Sequence, residues 1–374
     1  MFSRAKILVT TVGTIAGGLG SVTPVDAASL YEITGLSFLP SDINDSAQVV
    51  GENYLWKDGN VTNLNALPGA NNSNLSATAI NNKGAIAGNG VVSEEGKGFI
   101  SNGSTVSPAY DCGERCLNNF TVIQDINDSG TLAIYISSSY GSSESITVDS
   151  NGTIKQLNQE RTNINSINNQ AQVVGTFSYR GGQTNGFFSD NGVQVTTLIP
   201  AAGQLDPSAT APPYDRSNAK DLDDNGNIVG SSSVNPSSTF ENNPQEATLW
   251  EDPTKPGVSL GTLGGENSEA LGINNSMQVV GSSFLGDDST QHAFLWENDQ
   301  IVDLNTLIAP EAGWELTSAF EINNTGDIIG VGTYNGEQRG FIAKAVPEPS
   351  SVLGVLGLGL FGLGGLLKRQ QSSR

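Results

Sequence analysis

The chain is poor in the side chains that most often carry catalysis and zinc binding. Its 374 residues include one histidine, His292, and two cysteines, Cys112 and Cys116. A Ser-His-Asp triad could therefore be built only on His292, and no spacing of His and Cys ligands suited to zinc occurs. These absences favour a binding or structural protein over an enzyme.

Basic residues and helix-forming blocks are also scarce. There are 17 Lys and Arg against 38 Asp and Glu, which gives a formal net charge of −21. A surface of this sign repels phosphate backbones, so nucleic acid is excluded as a partner. What the chain does contain is 45 Gly and many short β-branched runs between Asn, Gly, Ser and Asp clusters, a pattern typical of an all-β protein.

Both ends of the chain have the composition of targeting segments. Residues 1–27 have a basic head, an apolar stretch and Val25 and Ala27 at the −3 and −1 positions of a cleavage site, which predicts a secretory signal peptide. Residues 350–367 are uncharged and are followed by Lys368 and Arg369, which predicts a transmembrane helix with its basic end in the cytoplasm. The remaining body, residues 28–345, is expected to be exported.

The segment 346–374 resembles the PEP-CTERM sorting signal of Gram-negative and cyanobacterial exporters. The residues that carry the resemblance are Val346, Pro347, Glu348 and Pro349, placed directly before the apolar stretch and its basic end. The resemblance implies cutting by an exosortase-type membrane protease, after signal peptidase has removed the leader. It also implies a brief stay in the inner membrane, followed by display at the cell surface or release. A permanent membrane anchor is the alternative interpretation.

A nine-residue motif recurs along the body. INNSMQVVG at 273–281 has related copies that start at Ile43, Ile80, Ile126, Ile167, Leu222 and Ile322. Starts 37 to 55 residues apart indicate a stacked or circular repeat fold. Each copy reads as a hairpin turn that needs one residue with positive φ, followed by a β-branched strand and a closing Gly. Ala47, Ala171 and Met277 stand where other copies have the turn Gly, so there we expect a neighbouring Asn to take the positive φ.

Two further strand signatures follow each turn, such as AFLWEN (293–298) and IVDLNTL (301–307). With the strand before the turn they make four strands per unit, which is the composition of a propeller blade. The seventh unit lacks its last strand, and YEITGLSFLPS (31–41) matches the missing one. The sequence therefore predicts a seven-bladed β-propeller closed by its N-terminal strand.

The run HAFLWENDQIVDLNTL after INNSMQVVG resembles the HAF repeats of bacterial extracellular repeat proteins. The resemblance covers most of residues 31–344 and is weakest around 80–110 and 126–158. It implies an exported repeat protein, and it transfers no catalytic residues.

Four groups of side chains are candidates for a site. His292 occupies a repeat slot held elsewhere by other polar residues, so we expect it to face solvent without a catalytic role. Cys112 and Cys116 are expected to form a local disulfide in an oxidising compartment. Trp56, Trp250 and Trp296 share one repeat slot, which favours blade core over a sugar-stacking ring.

The fourth candidate is DLDDNGN, residues 221–227. Asp221, Asp223 and Asn225 match the start of a calcium loop, but Ser232 stands at the twelfth position, where an EF-hand has Glu. Poorer versions occur at 42–45, 125–130 and 321–327. The two interpretations are a calcium site and a hairpin turn held by Asx hydrogen bonds.

The function expected from these features is an exported, surface-sorted protein that binds or supports material in the cell envelope or extracellular polysaccharide matrix. No catalytic residues and no cofactor other than calcium are predicted. The alternatives are a glycan-acting enzyme with a carboxylate pair and a calcium-dependent adhesin.

Overall fold

The fold was analysed in a computed structural model of the chain. It describes residues 30–346 except 72–73, 91, 93–97, 110–118, 139–142, 179–183, 202–215 and 236–243. In this part of the chain every sheet is antiparallel and no α-helix occurs; the only helical segments are short 3-10 turns at Leu64–Ala66, Leu304–Leu307 and Pro310–Ala312. The all-β prediction is confirmed.

The strands of the described residues group into seven four-stranded sheets, the blades. Blade 1 consists of β2(Asp42–Ile43), β3(Val49–Gly51), β4(Tyr54–Lys57) and β5(Asn60–Asn63). Blade 2 consists of β6(Ser76–Ile80), β7(Ile86–Asn89), β8(Phe99–Ser101) and β9(Val106–Pro108). Blade 3 consists of β10(Asn119–Ile126), β11(Leu132–Ser138), β12(Ser143–Val148) and β13(Ile154–Gln156). Blades 4 and 5 are β14(Thr162–Ile167) β15(Val173–Ser178) β16(Thr184–Ser189) β17(Thr196–Thr197) and β18(Ser217–Leu222) β19(Ile228–Ser233) β20(Gln245–Trp250) β21(Val258–Gly261). Blade 6 is β22(Gly264–Ile273) β23(Val279–Leu285) β24(Gln291–Glu297) β25(Gln300–Asp303), and blade 7 is β26(Trp314–Ile322) β27(Ile328–Tyr334) β28(Glu337–Ala345) with β1(Tyr31–Leu36).

The N-terminal strand completes the last blade, as the repeat pattern predicts. Strand β1 pairs antiparallel with β28, with Thr34 opposite Ile342 at the middle of the ladder. Leu36 and Phe38 then pack with Ile329 and Ile342 of blade 7 and with Trp56 of blade 1 in one buried cluster. The wheel is therefore closed by main-chain pairing and by side-chain burial together.

The first and second strands of each blade are joined by a tight turn. We call these the hub turns; they are residues 44–48, 81–85, 127–131, 168–172, 223–227, 274–278 and 323–327. In each, the fourth residue donates its N–H to the carbonyl of the first, as in Ala47 to Asn44 (2.9 Å) and Met277 to Asn274 (2.9 Å). That fourth residue has positive φ, which identifies a type I turn followed by a left-handed residue.

The expectation that Asn takes the positive φ in the copies without Gly is wrong. Ala47, Ala171 and Met277 themselves have φ of 53°, 60° and 60°. The turn needs its left-handed residue at the fourth position, where its N–H closes the turn, so the conformation cannot move to an earlier Asn. These residues bear a strain that Gly does not.

The closing Gly of the motif lies where two backbones meet, as predicted. A Cβ on Gly281 would collide with the carbonyl oxygen of Glu269, and Cβ atoms on the closing Gly of the other Gly-bearing copies would meet the equivalent carbonyls: Leu39 for Gly51, Ser76 for Gly88, Asn163 for Gly175, Asn218 for Gly230 and Ser318 for Gly330. In blades 2 to 7 the first strand has a register shift nearby, as between Ala270 and Gly272. At each shift one residue of the first strand, such as Leu271 between Ala270 and Gly272, is skipped in the ladder, as in a β-bulge.

The hydrophobic core lies between neighbouring blades. One cluster joins Val50 and Leu55 of blade 1 to Ile86 and Phe99 of blade 2, and similar clusters join the other described neighbours. Trp56, Trp250 and Trp296 are 6%, 1% and 8% exposed and belong to these clusters. They are core residues and present no stacking surface.

Candidate functional site: the polar channel at the hub

The seven copies of the motif converge on the axis of the wheel. Their turns and the strand ends before them line a channel with a cavity of about 160 Å³. Among the described lining residues are aspartate, asparagine, serine and aliphatic side chains, and no Lys, Arg or His. The turns converge because the first strand of each blade ends at the axis and its turn directly follows it.

In six of the seven described hub turns, the first residue holds its own turn and the next blade together. In Asn127, Oδ1 accepts the N–H groups of Ser129 (3.1 Å) and Thr131 (2.9 Å), while Nδ2 donates to the carbonyl of Asn168 in the next blade (3.0 Å). Asn44, Asn81, Asn168, Asn274 and Asn323 make the same donation around the wheel. These asparagines are all buried.

Blade 5 interrupts this belt because its first turn residue is Asp223. A carboxylate has no N–H, so the bond from Asp223 to the carbonyl of Asn274 cannot form. Instead, the exposed Asn225 donates Nδ2 to the carbonyl of Asn275 at 3.4 Å. The belt therefore has its weakest link between blades 5 and 6.

The second residue of each turn forms a closed ring at the channel mouth. We call it the mouth ring; it consists of Asp45, Asn82, Asp128, Asn169, Asp224, Asn275 and Asn324. Each backbone N–H donates to the side-chain Oδ1 of its neighbour in the next blade, at 2.7 to 2.9 Å. Because every member gives and accepts one bond, the ring fixes the spacing of all the blades.

Four acidic side chains lie deeper than the mouth ring. Each belongs to the residue directly before a copy of the motif. We call Asp42, Asp125, Asp221 and Glu321 the channel carboxyls. Asp42 accepts the N–H of Ile43 and of Ile80 in the next blade, both at 2.6 Å. Asp125 and Asp221 likewise accept the N–H of Ile167 (2.8 Å) and Ile273 (2.9 Å). Ser166 lies between these two aspartates, with its Oγ 2.9 Å from Asp125 Oδ2 and 2.8 Å from Asp221 Oδ1, and its single proton can be donated to one of them at a time.

The channel carboxyls alternate with small residues around the wheel. Blades 1, 3, 5 and 7 carry the acids, and blades 2, 4 and 6 carry Ala79, Ser166 and Gly272 at the same position. An odd number of blades cannot alternate completely, so Glu321 of blade 7 and Asp42 of blade 1 are neighbours. Glu321 leans back over blade 6, where a Cβ on Gly272 would come within 2.6 Å of its Oε2.

Removal from bulk water raises the pKa of every channel carboxyl. Burial raises the pKa of Asp221 to about 7. Burial, with the charges of Asp125 and Asp221, holds the pKa of Asp42 well above its usual range, and burial with the charges of Asp221, Asp42 and Asp125 does the same for Glu321. Burial also raises the pKa of Asp125 against hydrogen bonds that lower it. The channel therefore favours the protonated, neutral forms.

In the structure, the residues of the predicted calcium loop form hydrogen bonds with different partners. Asp221 is a channel carboxyl bonded to neighbouring blades, whereas Asp223 accepts the backbone and side-chain N–H groups of Asn225 and Asn227 in its own turn. In the described residues, no group of three or more His, Cys, Asp or Glu side chains is arranged to hold a metal ion. This geometry supports the Asx-turn interpretation, and calcium binding stays a prediction.

His292 is not the solvent-facing residue that its repeat slot predicts. Its side chain is 16% exposed, its Nδ1 lies 2.7 Å from Asp303 Oδ2, and its Nε2 lies 3.7 Å from Glu315 Oε1. Strand β24 pairs with β25 and brings Asp303 of the same blade alongside it. The repeat comparison missed this contact because it comes from the neighbouring strand and not from the slot itself.

Several predicted features lie outside the described residues. These are the signal peptide 1–27, Cys112 and Cys116, the Pro347, Glu348 and Pro349 part of the sorting motif, and the transmembrane helix 350–367. Val346 is described, and its N–H donates to the carbonyl of Leu30 at 2.9 Å. Across the described stretches, no helix has the length and hydropathy to span a bilayer.

Sequence reasoning named the channel carboxyls only as parts of possible calcium loops. Their arrangement around the axis is indicated by the residue before each copy of the motif. From blade 1 to blade 7 this residue is Asp, Ala, Asp, Ser, Asp, Gly and Glu. This alternation becomes meaningful only when the copies are arranged in a ring. A linear comparison of the copies does not show which of them are neighbours across the closure.

Fold and hub together define a seven-bladed β-propeller with a polar, acidic channel. Its residues 345–370 match the PEP-CTERM protein-sorting motif, which makes it an exported protein, processed by exosortase and held briefly in the membrane before sorting to the cell surface. No curated protein sequence matches the chain.

Three solved structures that are similar to the chain share little sequence with it. The β-propeller domain of the Trilobed protease from Pyrococcus furiosus is 11% identical, with 74% of this chain and 85% of that chain covered and a TM-score of 0.46. Acylaminoacyl peptidase from Pyrococcus horikoshii is 12% identical over 74% of this chain and 46% of that one, with a TM-score of 0.43. Trypanosoma rangeli sialidase is 10% identical over 70% and 53%, with a TM-score of 0.34. At these values they carry no argument about activity.

Proposed function

We propose that this protein is a surface-sorted binding or structural component of the cell envelope or extracellular polysaccharide matrix. The observation that carries the proposal is the position of the sorting motif, which begins at residue 345, where the last strand of the closed wheel ends. The motif delivers a folded wheel to the outside of the cell. The assignment of the repeat units to the HAF type belongs to the same proposal and rests on the sequence around His292.

The hub supports a rigid, non-catalytic role. Asp42, Asp125 and Asp221 each accept hydrogen bonds from backbone N–H groups of two blades, so their carboxylates are committed to holding the wheel together. The hub cavity, of about 160 Å³, is smaller than the roughly 300 to 1,000 Å³ of typical ligand pockets. A polysaccharide chain would therefore contact the rim and loops of the wheel, and the hub would keep those loops in place.

The test is an incubation of residues 28–346 with the extracellular polysaccharide of the producing organism. We expect co-sedimentation of the protein with the polymer and no change in the length distribution of the polymer by size-exclusion chromatography. A glycan-acting enzyme would shorten the polymer, and Asp221→Asn would abolish the shortening if a channel carboxyl were its acid. Shortening by the wild type would overturn the proposal.

The calcium-dependent adhesin is distinguished in the same assay. Binding measured with added chelator and with added calcium should be equal if the sequence 221–227 is a hub turn and nothing more. Loss of binding in chelator, restored by calcium and abolished by Asp223→Asn, would favour the adhesin.

A further inference from the structure

His292 lies in a polar cluster at the boundary between blades 6 and 7, away from the hub. Strand β24 carries His292, the end of β25 carries Asp303, and the start of β26 carries Glu315. His292 Nδ1 is 2.7 Å from Asp303 Oδ2, and His292 Nε2 is 3.7 Å from Glu315 Oε1. Because the chain contains one histidine, no other blade has an imidazole at this place.

Asp303 determines which nitrogen of His292 carries the proton. A carboxylate only accepts hydrogen bonds, so the contact at 2.7 Å puts the proton of the neutral ring on Nδ1 and leaves a lone pair on Nε2. The carboxylate is itself held in place, because its Oδ1 accepts the backbone N–H and the Nδ2 of Asn305 at 2.9 and 3.0 Å. A carboxylate on one ring nitrogen is the usual second partner of a histidine whose other nitrogen binds a metal.

The Glu315 carboxylate lies at a distance from Nε2 that suits a shared ion better than a direct bond. At 3.7 Å the two atoms are too far apart for a hydrogen bond, and a lone pair does not attract a carboxylate. With about 2.05 Å to nitrogen and about 2.1 Å to oxygen, two ligands of a tetrahedral zinc ion lie about 3.4 Å apart. The Glu315 side chain is 58% exposed, so a small rotation can close the difference.

Asn305 also fixes the backbone next to Glu315. Its Oδ1 accepts the N–H of Leu316 at 2.7 Å, and its Nδ2 donates to the Leu316 carbonyl at 2.9 Å. The same asparagine therefore holds Asp303 of blade 6 and the start of β26 in blade 7. The spacing between His292 and Glu315 is set by these bonds before any ion enters.

We propose that His292 Nε2 and the Glu315 carboxylate are the two protein ligands of a divalent transition-metal site of the zinc type, which links blade 6 to blade 7 and is completed by water. Asp303 is a positioning residue that acts through His292. Two direct ligands agree with the finding that, in the described residues, no group of three or more such side chains is arranged to hold a metal ion. The inference goes beyond the proposed function, because it assigns the wheel a bound ion between two blades.

The ligand types separate this site from the predicted calcium loop at 221–227. Calcium prefers ligand sets made only of oxygen, whereas an imidazole nitrogen suits zinc, copper and nickel. Excess calcium should therefore leave zinc binding at His292 unchanged. Displacement of zinc by calcium would contradict the assignment of the imidazole as a ligand.

The first experiment titrates Zn²⁺ into the full chain in detergent by isothermal titration calorimetry. Cys112→Ser and Cys116→Ser form the parent background, so that no thiol binds the ion. We expect the parent to bind one Zn²⁺ and both His292→Ala and Glu315→Gln to lose that binding. Glu251→Gln, which removes an exposed carboxylate just after β20 of blade 5, is the control and should bind as the parent does. No binding by the parent, or equal binding by all variants, would overturn the proposal.

Asp303→Asn tests the positioning role in the same background. The substitution keeps the size of the side chain and removes its charge, so we expect zinc affinity to fall about 10- to 100-fold with one site retained. Cu²⁺, which takes the same ligand types, provides a spectroscopic measurement. Electron paramagnetic resonance should show one imidazole nitrogen bound to Cu²⁺ in the parent and none in His292→Ala. Bound copper without imidazole nitrogen in the parent would contradict the site.

Thermal unfolding tests the link between the two blades. An ion that binds the folded chain alone raises its melting temperature, so Zn²⁺ should raise the melting temperature of the parent and of Glu251→Gln. It should leave that of Glu315→Gln unchanged, since this exposed side chain can be replaced without disturbing the fold. An equal rise in Glu315→Gln would show that the ion does not join blade 7 to blade 6.

Discussion

At the scale of single residues, the hub asparagines combine two tasks that other folds give to different side chains. The carboxamide oxygen completes a turn within one blade, and the carboxamide nitrogen holds the next blade. An aspartate performs the first task alone, as Asp223 does in blade 5. The preference for Asn at the first turn position therefore has a physical cause in the donor that aspartate lacks.

This argument predicts a large cost for Asn127→Ala and a small one for Asp149→Ala. Asp149 makes the same turn bonds, to Asn151 (2.9 Å) and Thr153 (2.8 Å), but lies on an outer hairpin of the same blade, where these bonds are exposed. Replacing Asn127 leaves a buried carbonyl and two N–H groups of the turn without partners, so we expect a loss of about 2 to 4 kcal/mol, against about 1 kcal/mol for Asp149. Chemical unfolding at about pH 7 measures both.

Equal losses for the two variants would contradict a bond between blades. Asn127→Asp is a nearly isosteric check, because it keeps the acceptor of the turn and replaces the donor with a carboxyl oxygen, as Asp223 does in blade 5. Its loss of stability should lie between those of the two alanine variants.

The closing glycines give a second prediction at this scale. Gly281→Ala would place a methyl group against the carbonyl oxygen of Glu269 and the ring of Phe294, so we expect a loss of about 3 kcal/mol or more. Gly59 has a positive φ (82°) but no neighbouring atom within 4 Å of an added Cβ. Gly59→Ala should therefore cost only about 1 kcal/mol. Unfolding midpoints in urea compare the two, and similar costs would show that close contact is not what requires glycine at position 281.

Much of this residue scale could be predicted from the printed sequence. The turn recurs in every aligned copy and the closing Gly in all but the third, because both follow from local backbone geometry. The left-handed conformation of Met277 could not be predicted from residue preferences. Gly and Asn adopt positive φ most easily, but the turn requires positive φ at its fourth position whichever residue stands there. The bonds of the channel carboxyls could not be predicted, since their partners come from other blades.

At the scale of elements, the ladder between β1 and β28 decides whether the wheel is closed. Its pairs run in register from Tyr31 opposite Ala345 to Leu36 opposite Gly340. Without β1, the N–H and C=O groups on one edge of β28 would face solvent and could pair with a second molecule.

A disulfide across this ladder should stabilise the wheel far more than one within a hairpin. Glu32 lies opposite Lys344, and Glu32→Cys combined with Lys344→Cys would close a loop that takes in almost the whole body. The chain-entropy model gives about 6 kcal/mol for such a loop and about 2 kcal/mol for a short hairpin. The control is Thr333→Cys with Gln338→Cys, two positions that face each other in the β27–β28 hairpin.

Both pairs are made in a chain with Cys112→Ser and Cys116→Ser, so that only the engineered disulfide forms. The expected result is a melting temperature that rises more for the β1–β28 pair under oxidising conditions and returns on reduction. If the two thiols introduced at positions 32 and 344 failed to cross-link, the register of the closure would be contradicted.

At the scale of the whole molecule, the sorting motif begins at the residue where the last strand of the wheel ends. Strand β28 ends at Ala345, and Val346 is bonded to Leu30, the first described residue. The two ends of the described body, Leu30 and Val346, therefore lie side by side.

Removing the tail should change location and leave the fold intact. We expect a chain ending at Val346 to be exported and recovered as soluble protein, whereas the full chain should fractionate with the membrane and then with the cell surface. Pro347→Ala with Pro349→Ala keeps the apolar stretch and should trap the protein in the membrane. Fractionation with immunoblotting measures all three, and unchanged location of the double variant would contradict the role of the motif.

The sequence by itself determined the repeat, the number of strands in each unit and the C-terminal sorting motif, because these depend on local turns, strand periodicity and a short specific motif. Tertiary structure alone decided which copies are neighbours. It thereby decided the hydrogen-bonded belt, the interrupted alternation of acids and the contact of His292 with Asp303. Contacts across a closed ring join residues as far apart as Asn44 and Asn323. No local pattern records such a contact, since each partner satisfies its own turn equally well before the ring closes.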